Sequence, residues 1–191
     1  MKVLAVNGSP RPDGNTAFLL RTVLQEAARA GMETELVQLG TGRFSGCRAC
    51  MACRKLQNNH CIVNDDGMNE IIEKMFAADA IVLGSPTYFA DVTSNMKALM
   101  DRAGYVNFSN GRPLTRKIGA AVAVHRRGGA LCSFDTMNHF FLISGMIVPG
   151  STYWNFAAAR DPGEAALDGE ALANMRDLGQ NIVWLLQKMH R

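Results

Sequence analysis

The stretch that most constrains this chain is its start. A short apolar run, residues 3–6, passes through Asn7-Gly-Ser-Pro-Arg-Pro-Asp-Gly-Asn-Thr16 into an amphipathic run beginning near Ala17. A strand that hands over to a helix through such a loop aims backbone N–H groups and the positive end of a helix dipole at one point. That point suits a phosphate. Gly8 and Gly14 let a ligand approach the backbone. Ser9, Asn15 and Thr16 offer side-chain donors, and Arg11 offers a charged fork. The loop lacks the Lys-Ser/Thr ending of a nucleoside-triphosphate loop and the Gly-x-Gly-x-x-Gly of a dinucleotide loop. A cup rich in hydroxyls and amides suits the terminal monophosphate of a mononucleotide such as FMN. The plainer reading of the same residues is a polar turn after strand one.

At 191 residues the chain suits one domain, with a cysteine-rich insertion at about 40–65. A formal charge of +3, spread over scattered basic residues, does not point to nucleic acid. The longest apolar run, 140–148, is too short to span a bilayer. The first residues do not make a signal peptide. A cytoplasmic protein with no membrane or nucleic-acid partner is the expectation.

Strand and helix then alternate. Residues 2–6 read as strand one, and Leu20, Val23, Leu24 and Ala27 put a helical stripe after the loop, stopped at Gly31. Residues 34–39 read as strand two, near a sheet edge. Asp65 and Asp66 offer an N-cap to a helix carrying Met68, Ile71, Ile72 and Met75. Residues 80–83 read as a central parallel strand. Thr93 or Ser94 caps a helix with Met96, Leu99 and Met100, and residues 105–114 read as a polar connection. Residues 117–124 are strand four, 130–144 a helix, and 146–148 the start of strand five. Residues 156–167 read as loop, and a stripe from Leu172 to Met189 marks a long last helix. Five such alternations give an α/β fold: a five-stranded parallel sheet with helices on both faces, in the flavodoxin-like order 2-1-3-4-5. In that order a ligand lies at the carboxyl ends of strands one, three and four. Three loops should converge there: 9–16, 85–91 and 125–129.

Pro86, Thr87, Tyr88 and Phe89 follow the central strand. Backbone amides and two aromatics there offer the flat wall and edge donors a flavin ring needs, or form an ordinary loop with half-buried aromatics. After strand four, His125-Arg126-Arg127-Gly128-Gly129 offers close backbone approach and cations. These would offset charge on reduced flavin, meet the phosphates of a nicotinamide nucleotide, or simply form a solvated basic turn.

The cysteines are the second signal. Cys47, Cys50, Cys53 and Cys61 lie within fifteen positions at spacings x2, x2 and x7. The compact x2, x2 run is how iron–sulfur proteins wrap a [4Fe-4S] cluster. Four thiolates equally make a zinc site, and the thiols can also stand unmetallated. Cys132, alone in a helix, is expected as a small buried residue.

Taken together, Asn7-Gly-Ser-Pro-Arg11 with Gly14-Asn-Thr16, the four cysteines, Asp65-Asp66, Ala78-Asp79, Gly84-Ser-Pro-Thr-Tyr-Phe89, and Lys97 with Asp101-Arg102 resemble the NADPH-dependent FMN reductase superfamily, and within it the iron–sulfur flavoprotein branch. The resemblance covers about residues 1–150. It implies a flavodoxin-like fold, non-covalent FMN, and a homodimer or homotetramer with flavins near subunit interfaces. It places Ser9, Arg11, Asn15 and Thr16 on the phosphate, Pro86, Thr87, Tyr88 and Phe89 beside the ring, and the four cysteines on the cluster. The expected function is an FMN-dependent oxidoreductase passing electrons from NAD(P)H or a reduced carrier such as a ferredoxin to a quinone, flavin or other acceptor. An electron-carrier or regulatory flavoprotein without turnover, and a zinc-stapled α/β binding module, are the alternatives.

Overall fold

A computed structural model describes residues 1–190. Five strands form one parallel sheet: β1 (Lys2–Asn7), β2 (Glu33–Gln38), β3 (Ala80–Pro86), β4 (Ile118–His125) and β5 (Phe156–Ala158), in the order β2-β1-β3-β4-β5. The expected topology is the one observed. The helices are α1 (Asn15–Arg29), α2 (Ala52–Leu56), α3 (Met68–Ala77), α4 (Ser94–Ser109), α5 (Ala130–Ile143) and α6 (Gly169–Met189).

The sheet is buried on both faces because successive strand residues point to opposite sides. Val3, Ala5, Ala80, Val82, Ala120 and Val122 pack against Leu20, Val23 and Leu24 of α1 and Met175, Leu178 and Ile182 of α6. Leu4, Val6, Ile81, Leu83, Ala121 and Ala123 pack on the other side, with Ile72, Met75, Met96, Leu99 and Phe141 of α3, α4 and α5. Among the described residues no helix is long and apolar enough to cross a membrane.

Several expectations change. Strand five is not at 146–148: Ile147 makes only one bridge, to Ile118, before Pro149 and Gly150 carry the chain away. It returns as β5, pairing Ala123 with Phe156 and His125 with Ala158. The edge of β4 is thus covered in two pieces, split where proline cannot donate to a ladder. α4 continues through Tyr105 to Ser109, part of the stretch read as a connection, and the short α2 lies within the cysteine segment. Gly67, at φ 76°, holds the cap position of α3 in place of an aspartate. Asp66 instead takes the Met68 amide on Oδ1 at 3.1 Å and pairs its other oxygen with Arg102. Cys132 is exposed, not buried, because it falls beside the α5 stripe of Ser133, Met137, Phe140 and Phe141.

Candidate functional site

The loop after β1 is shaped by polar ends of two strands. Buried Asn7 accepts the Ser9 amide on Oδ1 at 3.1 Å and donates from Nδ2 to Gln38 Oε1 at 2.6 Å and Arg11 O at 3.3 Å. Gln38 in turn donates to Ser9 O at 2.6 Å, and Ser9 Oγ accepts the Arg11 amide at 3.1 Å. Gly40 lies against this turn so closely that a Cβ there would stand 1.9 Å from Ser9 O. Only glycine fits that approach. The loop delivers the chain into α1 at Gly14, with no side chain capping the helix start. The opening amides are left for a ligand, at the positive end of the helix dipole.

Asn15 does a different job from the one its residue type suggests. Its Oδ1 accepts the amides of Gly163 at 3.0 Å and Ala165 at 3.2 Å, and its Nδ2 donates to Asp161 O at 2.9 Å. It bolts the turn after β5 onto α1 and so brings Ala159, Arg160 and Asp161 beside the phosphate loop.

The loop after β3 is tied to the first by Thr93. Its Oγ1 donates to Gly8 O at 2.9 Å, its amide donates to Ser85 Oγ at 3.0 Å, and its hydroxyl caps α4 by accepting the Met96 amide. Thr87 donates its amide to Val124 O at 2.7 Å and accepts Ser133 Oγ at 3.0 Å, which fixes it to β4 and α5. Tyr88 and Asp91 exchange backbone bonds across a tight turn whose central residues, Phe89 and Ala90, have φ of 50° and 63°. Two left-handed non-glycine residues in succession are strained, and such strain gathers at working sites. The turn sends Phe89 fully into solvent. Gly129 has φ 84°, and a Cβ there would stand 3.1 Å from Thr87 Cγ2 and 3.2 Å from Ala90 Cα, a second place that favours glycine.

These loops enclose a cleft of about 360 Å³ at the carboxyl ends of the strands, within the size range of small-molecule sites. Of the cofactor-binding positions expected from the sequence, Ser9, Arg11, Asn15, Thr16, Pro86, Thr87, Tyr88 and Arg126 line it; Phe89, Arg127 and Gly128 do not. Val124, Ala159, Arg160 and Asp161 also line it and were not anticipated. The Asp161-Pro-Gly turn was a readable signal, but with strand five misplaced it did not fall at a sheet end. Arg11, Arg126 and Arg160 outnumber Asp161, so the lining favours an anion. His125 faces another recess, edge-on to Phe156 at 5.6 Å, where burial, only partly offset by Asp168, pulls its pKa down. A larger cavity of about 550 Å³ lies between α4 and α5, but its Lys97 and Asp101 pair with each other at 2.6 Å and it touches none of the strand-end loops.

The four clustered cysteines also meet. Cys47, Cys50, Cys53 and Cys61 line one small cavity with Ile62, Val63, Arg102, Tyr105 and Val106. Cys47 Sγ accepts the Ala49 amide at 3.4 Å, and Cys53 Sγ donates to Ser109 Oγ at 3.5 Å. Ala49, Met51, Gln57 and Asn59 all have positive φ, from 47° to 62°. Each such residue costs on the order of 1–2 kcal/mol, so the loop is held in this shape at a cost. The donor set, four thiols with no carboxylate or imidazole lining the cavity, is the soft set that iron–sulfur clusters and zinc take. The cavity is only about 20 Å³, room for about one water. Among the described residues, no three metal-ligating side chains stand in ligating range of one another. The donor chemistry fits a cluster or a zinc ion, and the four thiols line one cavity without any three standing in ligating range of one another.

Residues 1–161 match the family model described as NADPH-dependent FMN reductase. The chain belongs to that family. This FMN reductase family member is 38% identical over 189 residues to an iron–sulfur flavoprotein of Methanocaldococcus jannaschii, with 95% of each chain covered. It is 36% identical over 152 residues to one of Methanosarcina thermophila, with 78% of each covered. Among solved structures it resembles RosB, at a TM-score of 0.76 and 20% identity over 100% of this chain and 80% of that one. It also resembles an archaeal flavodoxin, at a TM-score of 0.64 and 17% identity over 98% and 99%. The cleft suits the FMN of this reductase family: an uncapped helix start and a hydroxyl-lined loop for a phosphate, and an aromatic-edged wall for a ring.

Proposed function

We propose that the protein is an FMN-dependent oxidoreductase that carries electrons from NAD(P)H or a reduced carrier such as a ferredoxin to a quinone, flavin or other small acceptor. The observation that carries this is the convergence of Ser9, Arg11, Thr16, Thr87, Tyr88 and Arg126 on one cleft at the strand ends. Bound FMN would supply the exchange between two-electron and one-electron partners. The opening amides of α1, with Ser9 Oγ, Thr16 Oγ1 and Arg11, would hold its phosphate. Pro86, Thr87 and Tyr88 would flank the ring. Arg126 would oppose negative charge that builds in the cleft on reduction. Cys47, Cys50, Cys53 and Cys61 would hold a [4Fe-4S] cluster. The protein would act in the cytoplasm as a homodimer or homotetramer.

The visible spectrum of anaerobically purified protein, with an FMN titration and steady-state NADPH oxidation using a quinone acceptor, tests this. Flavin bands, saturable FMN binding and robust turnover are expected. A pure preparation that takes up no FMN overturns the proposal. FMN without turnover would leave an electron carrier, and stoichiometric zinc would replace the cluster.

A further inference from the structure

Among the described residues Arg102 is the largest fully buried side chain, and it lies on α4 against the cysteine cavity. Its Nη1 pairs with Asp66 Oδ2 and reaches Ser45 O at 3.4 Å; its Nη2 donates to Val63 O at 2.6 Å. Ser45 stands two positions before Cys47, and Val63 two positions after Cys61. One guanidinium therefore ties both flanks of the cysteine segment to α4. Its Nε is the exception: it is buried and has no acceptor among the described residues. A buried N–H left without a partner costs on the order of 1–3 kcal/mol, which calls for an explanation.

We propose that Arg102 is a positioning and potential-setting residue for the centre held by the four cysteines, with its Nε–H kept for a sulfur of that centre. This rests on the reading that the cysteines hold a [4Fe-4S] cluster. Such a centre carries net negative charge that grows by one when it is reduced. A fixed cation and an N–H aimed at sulfur favour the more negative state, and hydrogen bonds to the sulfurs are a main lever on potential. Arginine stays charged at any working pH, so the effect needs no proton movement. Asp66 works against it: it orients the guanidinium but puts a compensating negative charge close by.

The two residues should therefore move the potential in opposite directions. The test uses the full chain, reconstituted anaerobically with iron and sulfide, and reads the cluster's reduction midpoint by spectroelectrochemistry. Arg102→Lys keeps the charge and loses Nε–H and the fork; the reduction equilibrium should fall about tenfold, 59 mV for one electron. Asp66→Asn removes the opposing charge and should raise it by a similar factor. Asp66→Asn keeps one oxygen, for either the Met68 amide or Arg102, and its amide group replaces the other. The milder Arg102→Gln, which keeps an N–H donor and removes the charge, should lower the reduction equilibrium as well and keeps the question answerable if either of the other variants does not fold. Cluster absorption in the wild type with any folded variant within twofold of it overturns the role of Arg102 and leaves the cluster standing. No cluster absorption in the reconstituted wild type overturns both.

Discussion

The strand-end cleft and the cysteine cavity are two answers to the problem of gathering functional groups. The cleft is assembled on the sheet. Its loops leave buried parallel strands, and Asn7, Thr93, Asn15 and Thr87 tie each loop to a neighbour. The cysteine cavity sits on a segment with one five-residue helix and four left-handed non-glycine residues, clamped by Arg102 on α4 and tied at Cys61 by Asn69 on α3. The cleft encloses about 360 Å³, while the cavity lined by the four thiols encloses about 20 Å³. A site on a rigid scaffold is preorganised; a site on a strained loop takes its final shape from what it binds.

The sharpest way to break this contrast is to remove the clamp. Arg102→Met leaves Asp66 buried and unpaired, which should cost about 3–5 kcal/mol in equilibrium unfolding by urea. If the cavity is held by Arg102, labelling of Cys53, the buried thiol of the four, should also speed up under native conditions. An unchanged unfolding midpoint would mean that the segment is held by something other than this pair. A second cut goes through the cleft. Gly40→Ala drives a Cβ into the Ser9 backbone and should cost about 1–3 kcal/mol. FMN affinity should drop at least tenfold while labelling of the four clustered thiols stays as in the wild type. If FMN binds as tightly as before, the 7–16 loop is not the phosphate site.

The two regions also differ in how far the sequence exposes them. β1, β3 and β4 are continuous apolar runs, and the α6 stripe has an unmistakable helical period, so the sheet order and the loops that meet above it are legible. β5 is three residues long and exists because β4 has an edge to cover, which no local pattern records. Missing it hides the 159–161 wall of the cleft, whose place depends on an Asn15 bond spanning 146 residues. Phe89 was expected beside a ring because it is aromatic; the left-handed turn that turns it outward leaves no mark in residue type. The cysteine spacing announces a shared site, yet the clamp is invisible from sequence, because Arg102 lies 36 and 39 residues from Asp66 and Val63 and is placed by tertiary packing alone.

Smaller substitutions sharpen the ligand assignment. Thr16→Val removes one hydroxyl from the mouth of α1, where Thr16 is buried and lines the cleft. It should weaken FMN by about 1 kcal/mol, several-fold in Kd. Riboflavin, which lacks the phosphate, should bind as to the wild type. Equal losses for the two flavins would move the phosphate elsewhere.

The smallest effect is one of pH. Burial alone would raise the Asp66 carboxyl, but the hydrogen bond from Arg102, the Met68 amide, the Arg102 charge and the Ser45 amide outweigh it and hold the pKa below the usual carboxylate range. A carboxylate whose pKa is lower folded than unfolded stabilises the fold fully above the unfolded value of about 3.9, and that stability is lost as pH falls from there towards the folded value. Unfolding free energy against pH should therefore steepen below about pH 4 in the wild type. In Asp66→Asn it should steepen less over the same window, while the two curves run parallel above it. Curves that stay parallel down to the acid limit would show that the Arg102–Asp66 pair does not titrate with folding, and would move the hold on the cysteine segment from charge to packing.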